Sequence, residues 1–213
     1  MWILKLGGSL LGSPELAHWL ALVAEFGQGK VIIVPGGGIF ADAVRDAQKI
    51  SNMDDAAAHE LALLAMDQFG ILLARMNPEL VTASSELEIA ERGWQHRGIV
   101  WLPSKMVLAD DTIPKNWNVT SDSLSAWLAN KLGAEQLLLI KSKSLLDYQS
   151  KNPISVEVLV ENGLIDSQFS AFISQKKVGN GYQTYVLNKA DCSIFEQGFS
   201  VQKLAVHGLR VNA

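Results

Sequence analysis

Short apolar runs alternate along the chain with longer stretches of helical periodicity. Trp2 to Leu6 is an apolar run that ends at Gly7-Gly8, as a buried strand would. Ser13, with Pro14 at the first helical position and Glu15 in the first turn, opens a helix to about Phe26. Val31 to Val34 is a consecutive β-branched run, suited to a parallel strand covered on both faces, and it stops at Pro35-Gly36-Gly37-Gly38. Helical periodicity returns at Ile39, and after a polar break at Ser51 to Asp55 a second helix runs to about Met76, before Pro78. Leu80 to Thr82 and Ile99 to Leu102 read as strands around a helix whose Ser85 and Glu88 form a capping box. A loop covers Ser104 to Asn118, and Thr120-Ser121-Asp122 then opens a helix ending near Gly133. Leu137 to Ile140 is another buried strand, Ser155 to Gln175 one or two helices, and Gln183 to Leu187 and Lys203 to Val206 closing strands. The alternation predicts an α/β fold with a mostly parallel sheet covered on both faces. No internal repeat, low-complexity tract or linker breaks it, so the chain reads as one α/β domain over 1–213 whose lobes share that sheet.

The helix before Pro78 is apolar almost all round, through Leu61, Leu63, Leu64, Met66, Phe69, Ile71, Leu72 and Leu73. A helix without a solvated face has to be covered, and a second copy of the chain is the obvious cover. The pattern therefore predicts a homodimer through residues 56–75.

Composition narrows the function. With 48% hydrophobic and 19% charged residues the chain builds a large core and is neither disordered nor fibrous. The net charge of −4 and the scattered basic residues disfavour a nucleic-acid or anionic-membrane binder, so any anionic ligand must be caught locally. The lone cysteine, Cys192, points to a reducing compartment and to a small buried apolar side chain rather than a nucleophile. No apolar run reads as a membrane span: Leu61 to Ala74 comes closest and is broken by Asp67 and Gln68. Lys5 and Gly7-Gly8 cut the first run too short for a signal peptide, so a cytoplasmic protein is expected and the Asn118-Val119-Thr120 sequon is a chance match.

Three constellations lie where chemistry belongs in an open α/β sheet, just beyond the carboxyl ends of strands. Lys5-Leu6-Gly7-Gly8-Ser9 puts an ammonium in an otherwise buried strand, beside glycines that let backbone N–H groups close on an anion. A snorkelling edge lysine before a plain turn fits equally well. Gly36-Gly37-Gly38 runs straight into a helix N-terminus, a second anion site. Its match to the dinucleotide fingerprint through Gly36, Gly38 and Ala41 is weak, because Asp54 and Asp55 lie between two helices and not at a strand end. Thr120, Ser121 and Asp122 are all good N-caps, and Asp122 is also placed to reach a phosphate lysine or a magnesium ion.

Other chemistries lack their residues. The sequence has no Walker motif, protein-kinase signature, nucleophile elbow or zinc-binding His pair, and its four histidines are scattered. His59 reads as a packed or interface histidine, and Asp110-Asp111 as a solvated turn. Of the six tryptophans only Trp117 adjoins a candidate site.

Lys5 through Ser9, Gly36 to Gly38 and Thr120 to Asp122, in that order and spacing, resemble the amino acid kinase superfamily of acetylglutamate, aspartate and uridylate kinases over about residues 1–140. The resemblance implies a three-layer αβα sandwich, with the acceptor bound by about 1–135 and ATP by a shortened lobe of about 136–213. It implies that Lys5, Gly7, Gly8 and Ser9 hold the β/γ-phosphates of ATP with Mg2+, that Gly36, Gly37, Gly38, Thr120 and Ser121 hold the acceptor, and that Asp122 orients Lys5. Gly36 to Asp42 with Arg45, Ala57-Ala58-His59, Ala65 to Gln68 and Trp117 to Ser123 are similar to the kinases of methanofuran biosynthesis, which implies aminomethylfuran-methyl phosphate as acceptor. The chain departs from the superfamily after Ile140. Lys141-Ser142-Lys143-Ser144-Leu145 stands where many members have an aspartate-glycine pair, and Lys141 is placed to supply phosphate-binding charge. Asn162-Gly163-Leu164-Ile165-Asp166 stands near the Gly-Met-x-x-Lys that gives acetylglutamate kinases a second phosphate lysine. The rival expectations are another acceptor, an isoprenyl phosphate or a carboxylate, and a non-catalytic anion-binding or regulatory protein.

Overall fold

The computed structural model describes residues 1–174 and 181–212. In chain order its elements are β1 (Trp2–Leu6), α1 (Pro14–Phe26), β2 (Val31–Pro35), α2 (Gly38–Ser51), α3 (Asp55–Met76), β3 (Leu80–Ala83), α4 (Glu86–Trp94), β4 (Gly98–Trp101) and α5 (Ser104–Leu108). They continue with α6 (Ser121–Leu132), β5 (Gln136–Lys141), β6 (Ile154–Ser155), α7 (Val156–Glu161), α8 (Phe169–Ser174), β7 (Gln183–Asn188), α9 (Val201–His207) and β8 (Leu209–Asn212).

The described strands form one sheet in the order β3-β4-β2-β1-β5-β7-β8-β6, parallel throughout except for the β7/β8 pair. Alternation along each strand divides the core in two. Ile3, Leu137 and Leu139 pack with α6 residues such as Leu124 and Leu128, whereas Leu4, Leu6, Leu138 and Ile140 pack on the opposite face with Trp19 and Leu20 of α1. This is the expected three-layer αβα sandwich, with β1 central and its carboxyl end flanked by β2 and β5.

Most sequence-predicted elements are present, and the exceptions have local causes. Lys203 to Val206 is not a strand: it lies in α9, where Ser200 caps the Lys203 N–H and only Leu204 is buried, and β8 follows it. A four-residue apolar run fits one turn of helix as well as a strand, and Gly208 then ends the helix. Ser104 to Leu108, expected as loop, is helical because the Asp67 carboxylate accepts from both the Ser104 N–H and its hydroxyl. Ser85 caps α4, but Glu88 reaches back to the Ser84 N–H at 2.7 Å, so the reciprocal half of the box is displaced by one residue. Ser13 precedes α1 without a side-chain capping bond. The Ser155 to Gln175 stretch resolves into α7 and α8, with Gln175 outside the described residues.

By length and composition α3 could cross a membrane. It packs instead against β2, β3 and β4, burying Leu63, Met66, Phe69 and Leu73 while Leu61, Leu64 and Ile71 stay exposed.

Candidate active site

The site follows from strand register. Lys5 of β1 pairs with Leu139 of β5, so Lys141 is two residues further on. A two-residue step keeps a side chain on the same sheet face and advances it by about 6.6 Å. Both lysines therefore emerge on the face covered by α6, whose first turn carries Asp122. The Asp122 Oδ1 lies 2.9 Å from the Lys5 Nζ, and the Lys141 Nζ donates to both carboxylate oxygens at 2.8 Å.

All three groups are buried. Burial by itself would raise the Asp122 carboxyl, but the ammoniums of Lys141 and Lys5 outweigh it and hold the group at about 2. Burial pushes Lys141 down from 10.5 to about 8, with Asp122 opposing and Lys5 reinforcing the shift. Two ammoniums share one carboxylate at salt-bridge distance, with Asp166 contributing only a weaker, more distant attraction to Lys141, so the cluster suits an anion.

The glycine turns close around the same point. A Cβ on Gly8 would stand 2.1 Å from the Gly38 Cα, and one on Gly36 would stand 2.5 Å from the Gly8 N. The backbones of the two turns thus touch, and Gly38 also has a φ of 55°. Gly37 lies against Ala41, and Gly7 lies beneath the Lys5 Nζ. The Ser9 hydroxyl is 3.1 Å from that of Ser142, which follows β5. Turns after three adjacent parallel strands, together with the N-terminus of α2, thereby converge beyond the sheet.

Beside them is a cavity of about 590 Å³ between α2, α3 and residues 117–124. Gly8, Gly36, Gly37, Gly38, Thr120 and Ser121 line it, Leu63, Met66, Val119 and Leu124 give it an apolar wall, and Arg45, His59 and Trp117 complete it. The Arg45 guanidinium lies 4.4 Å over the Trp117 ring and donates to Asp42 at 2.8 Å, while the Trp117 Nε1 donates to Gln48 at 2.7 Å. Burial pushes His59 below its usual value, against a hydrogen bond with the Asn116 backbone, so it is neutral at pH 7.

The structure brings Lys5, Asp122 and Lys141 into one cluster, Gly7, Gly8 and Ser9 beside it, and Gly36, Gly37, Gly38, Thr120 and Ser121 onto the cavity. Three groups went unassigned from sequence. Asp166 accepts from the backbone and side chains of Thr120 and Ser123. His59 is packed, as expected, but also lines the cavity. Asp110 is no plain solvated turn, because it accepts from the Trp127 Nε1 at 2.9 Å. For His59 a signal was available, since it lies on the buried stripe of α3 with Leu63 and Met66. For Asp166 none was.

Comparison with known proteins agrees with this geometry. The model of the amino acid kinase family matches residues 1–151. A protein of Methanocaldococcus jannaschii named [5-(aminomethyl)furan-3-yl]methyl phosphate kinase is 33% identical over 141 residues, covering 65% of this chain and 64% of the relative. The uridylate kinase of Archaeoglobus fulgidus superposes with a TM-score of 0.68 at 19% identity, over 99% of each chain. The isopentenyl phosphate kinase of T. acidophilum superposes with a TM-score of 0.61 at 12% identity, over 100% of each chain. With a family match over most of its length, the chain belongs to the amino acid kinase family.

Proposed function

We propose that the protein is a small-molecule kinase that transfers the γ-phosphoryl of Mg-ATP to a phosphate monoester. The observation that carries the reading is the buried Lys5–Asp122–Lys141 cluster, separated from a glycine-lined cavity only by the neighbouring residues Gly8, Ser9 and Ser121, which line it. Lys5, Lys141, Gly7, Gly8 and Ser9 hold the β- and γ-phosphates. Gly36, Gly37, Gly38, Thr120 and Ser121 face the acceptor, and Asp122 keeps both ammoniums aimed. Residues of about 1–135 serve the acceptor and those of about 136–213 the nucleotide. Among the described residues no three carboxylate, His or Cys groups gather as a metal site. Magnesium would enter as Mg-ATP and supply charge neutralisation on the phosphates, beside Lys5 and Lys141.

An acceptor phosphate oxygen attacks the γ-phosphorus in line as the bond to the β-γ bridging oxygen breaks, giving a diphosphate and ADP. The attacking oxygen is already ionised near neutral pH, so positioning and charge neutralisation do the work and no base is needed. Neutral, buried His59 is consistent with that. The similarity to the M. jannaschii enzyme favours [5-(aminomethyl)furan-3-yl]methyl phosphate as acceptor. The apolar wall of Leu63, Met66, Val119 and Leu124 favours an isoprenyl phosphate as second choice. An acceptor panel read by ADP release separates them. Calorimetry with Mg-ATP tests the kinase reading itself: no heat at millimolar nucleotide ends it in favour of a non-catalytic binder.

The exposed stripe of Leu61, Leu64 and Ile71 on α3 supports a homodimer through residues 56–75. The single, buried Cys192 supports work in the reducing cytoplasm.

A further inference from the structure

Asp166 lies between α7 and α8, yet its carboxylate is bonded to the first turn of α6. Its Oδ2 accepts from the Thr120 N–H at 3.1 Å, the Thr120 hydroxyl at 2.7 Å and the Ser123 N–H at 3.0 Å, and its Oδ1 accepts from the Ser123 hydroxyl. A helix start does not need this much. Thr120 is already the N-cap residue, and its own hydroxyl receives the Asp122 N–H. Asp122 sits between the two residues that Asp166 grips, so the grip fixes the backbone on which the lysine-binding carboxylate rides. Asp166 also stands in the stretch where the acetylglutamate kinase pattern has a phosphate lysine, a role that Lys141 fills here from β5.

Resting on the kinase reading above, we propose that Asp166 is a positioning residue for phosphoryl transfer: by clamping Thr120 and Ser123 it holds Asp122, and through it Lys5 and Lys141, in register with the phosphates. The charged groups facing Lys141 are Asp122 from α6, Lys5 from β1 and Asp166 from the loop before α8, and the Asp166 charge favours the protonated lysine.

Two variants test this. Asp166→Asn keeps the size and removes the charge, and Ser123→Ala removes one donor and keeps the charge. In Asp166→Asn, kcat is expected to fall about 10- to 100-fold, the scale of a small misplacement of reacting groups. The Lys141 titration, followed by carbon NMR at Cε in lysine-labelled protein, is expected to move to lower pH. In Ser123→Ala, kcat should fall less and the Lys141 midpoint should stay in place. A wild-type kcat together with an unmoved Lys141 midpoint in Asp166→Asn overturns the proposal, whatever the melting temperature does. Should that variant not fold, a wild-type kcat in Ser123→Ala overturns it. If the wild-type protein turns over no acceptor, the kinase reading fails by itself, and the NMR midpoint still decides the Asp166 coupling.

Discussion

Removing Lys141 should separate activity from stability. Its folded value falls from 10.5 to about 8, and at 1.36 kcal/mol per pKa unit its protonated form costs the folded protein about 3 kcal/mol at neutral pH. Asp122 runs the other way, from 3.8 to about 2, a gain of about 2 kcal/mol on the same conversion. In Lys141→Met the carboxylate keeps Lys5 at 2.9 Å, so no buried charge is stranded, and methionine refills most of the volume. The melting temperature should therefore hold or rise by several degrees, at roughly 2–4 °C per kcal/mol for a chain of this size. Turnover, measured by ADP release, should drop by about 10²–10³, the effect of deleting one preorganised electrostatic donor. The pH dependences should also oppose each other. From about pH 8 to 10.5 the unfolded chain keeps a proton the folded one has lost, so stability from this residue rises with pH while activity falls with the ammonium. A Lys141→Met protein that melts several degrees lower, or turns over at the wild-type rate, would refute the reasoning.

Asp122→Asn leaves two buried ammoniums facing each other and should cost about 3–5 kcal/mol as well as activity, read by denaturant melts. Gly8→Ala drives a Cβ to within 2.1 Å of the Gly38 Cα; forcing the turns apart should cost about 1–3 kcal/mol and weaken Mg-ATP binding in calorimetry. His59 is held below 6.5 by burial, so the stability it lends is full above pH 6.5 and declines as pH falls below it. His59→Gln should flatten the melting temperature between pH 7.5 and 5. Leu64→Glu with Ile71→Glu alters only exposed positions of α3 and should yield monomers in analytical ultracentrifugation without loss of fold.

What the sequence made legible was whatever depends on strand ends. Lys5 near the end of a predicted strand, the two glycine turns just past strands and Asp122 at a predicted helix start were all readable, and parallel pairing brings such points together at one edge of the sheet. The path of Lys203 to Val206 was not legible, because so short an apolar run has no period to read. Nor was Asp166, whose partners are 43 and 46 residues away in the chain and whose pattern is an ordinary loop aspartate. Lys141 was readable as a nearby charge, but its bidentate grip on Asp122 depends on the two-residue offset between β1 and β5.

The charges of the site also restrict what can approach it. The lysine pair carries one positive charge more than Asp122 balances, and on the proposed reading the nucleotide polyphosphate would meet it. On the kinase reading a second anion must then be met elsewhere, and the turns at Gly8, Gly37 and Gly38 line the cavity with backbone, the Gly36 N–H being held by the Leu6 carbonyl at 2.8 Å. The Arg45 guanidinium lines the cavity, yet Asp42 holds it at 2.8 Å and Trp117 lies beneath it. An acceptor without an anionic group would displace water from the partly buried amides of Gly8, Gly37 and Gly38 without replacing its hydrogen bonds, at up to about 1–3 kcal/mol for each donor left unpaired. On the kinase reading proposed above, discrimination against neutral alcohols would thus rest on the backbone, where a side-chain substitution in the cavity wall cannot remove it. Substitutions at Leu63, Met66, Val119 or Leu124 should change which anionic acceptor is preferred and leave the requirement for an anion intact.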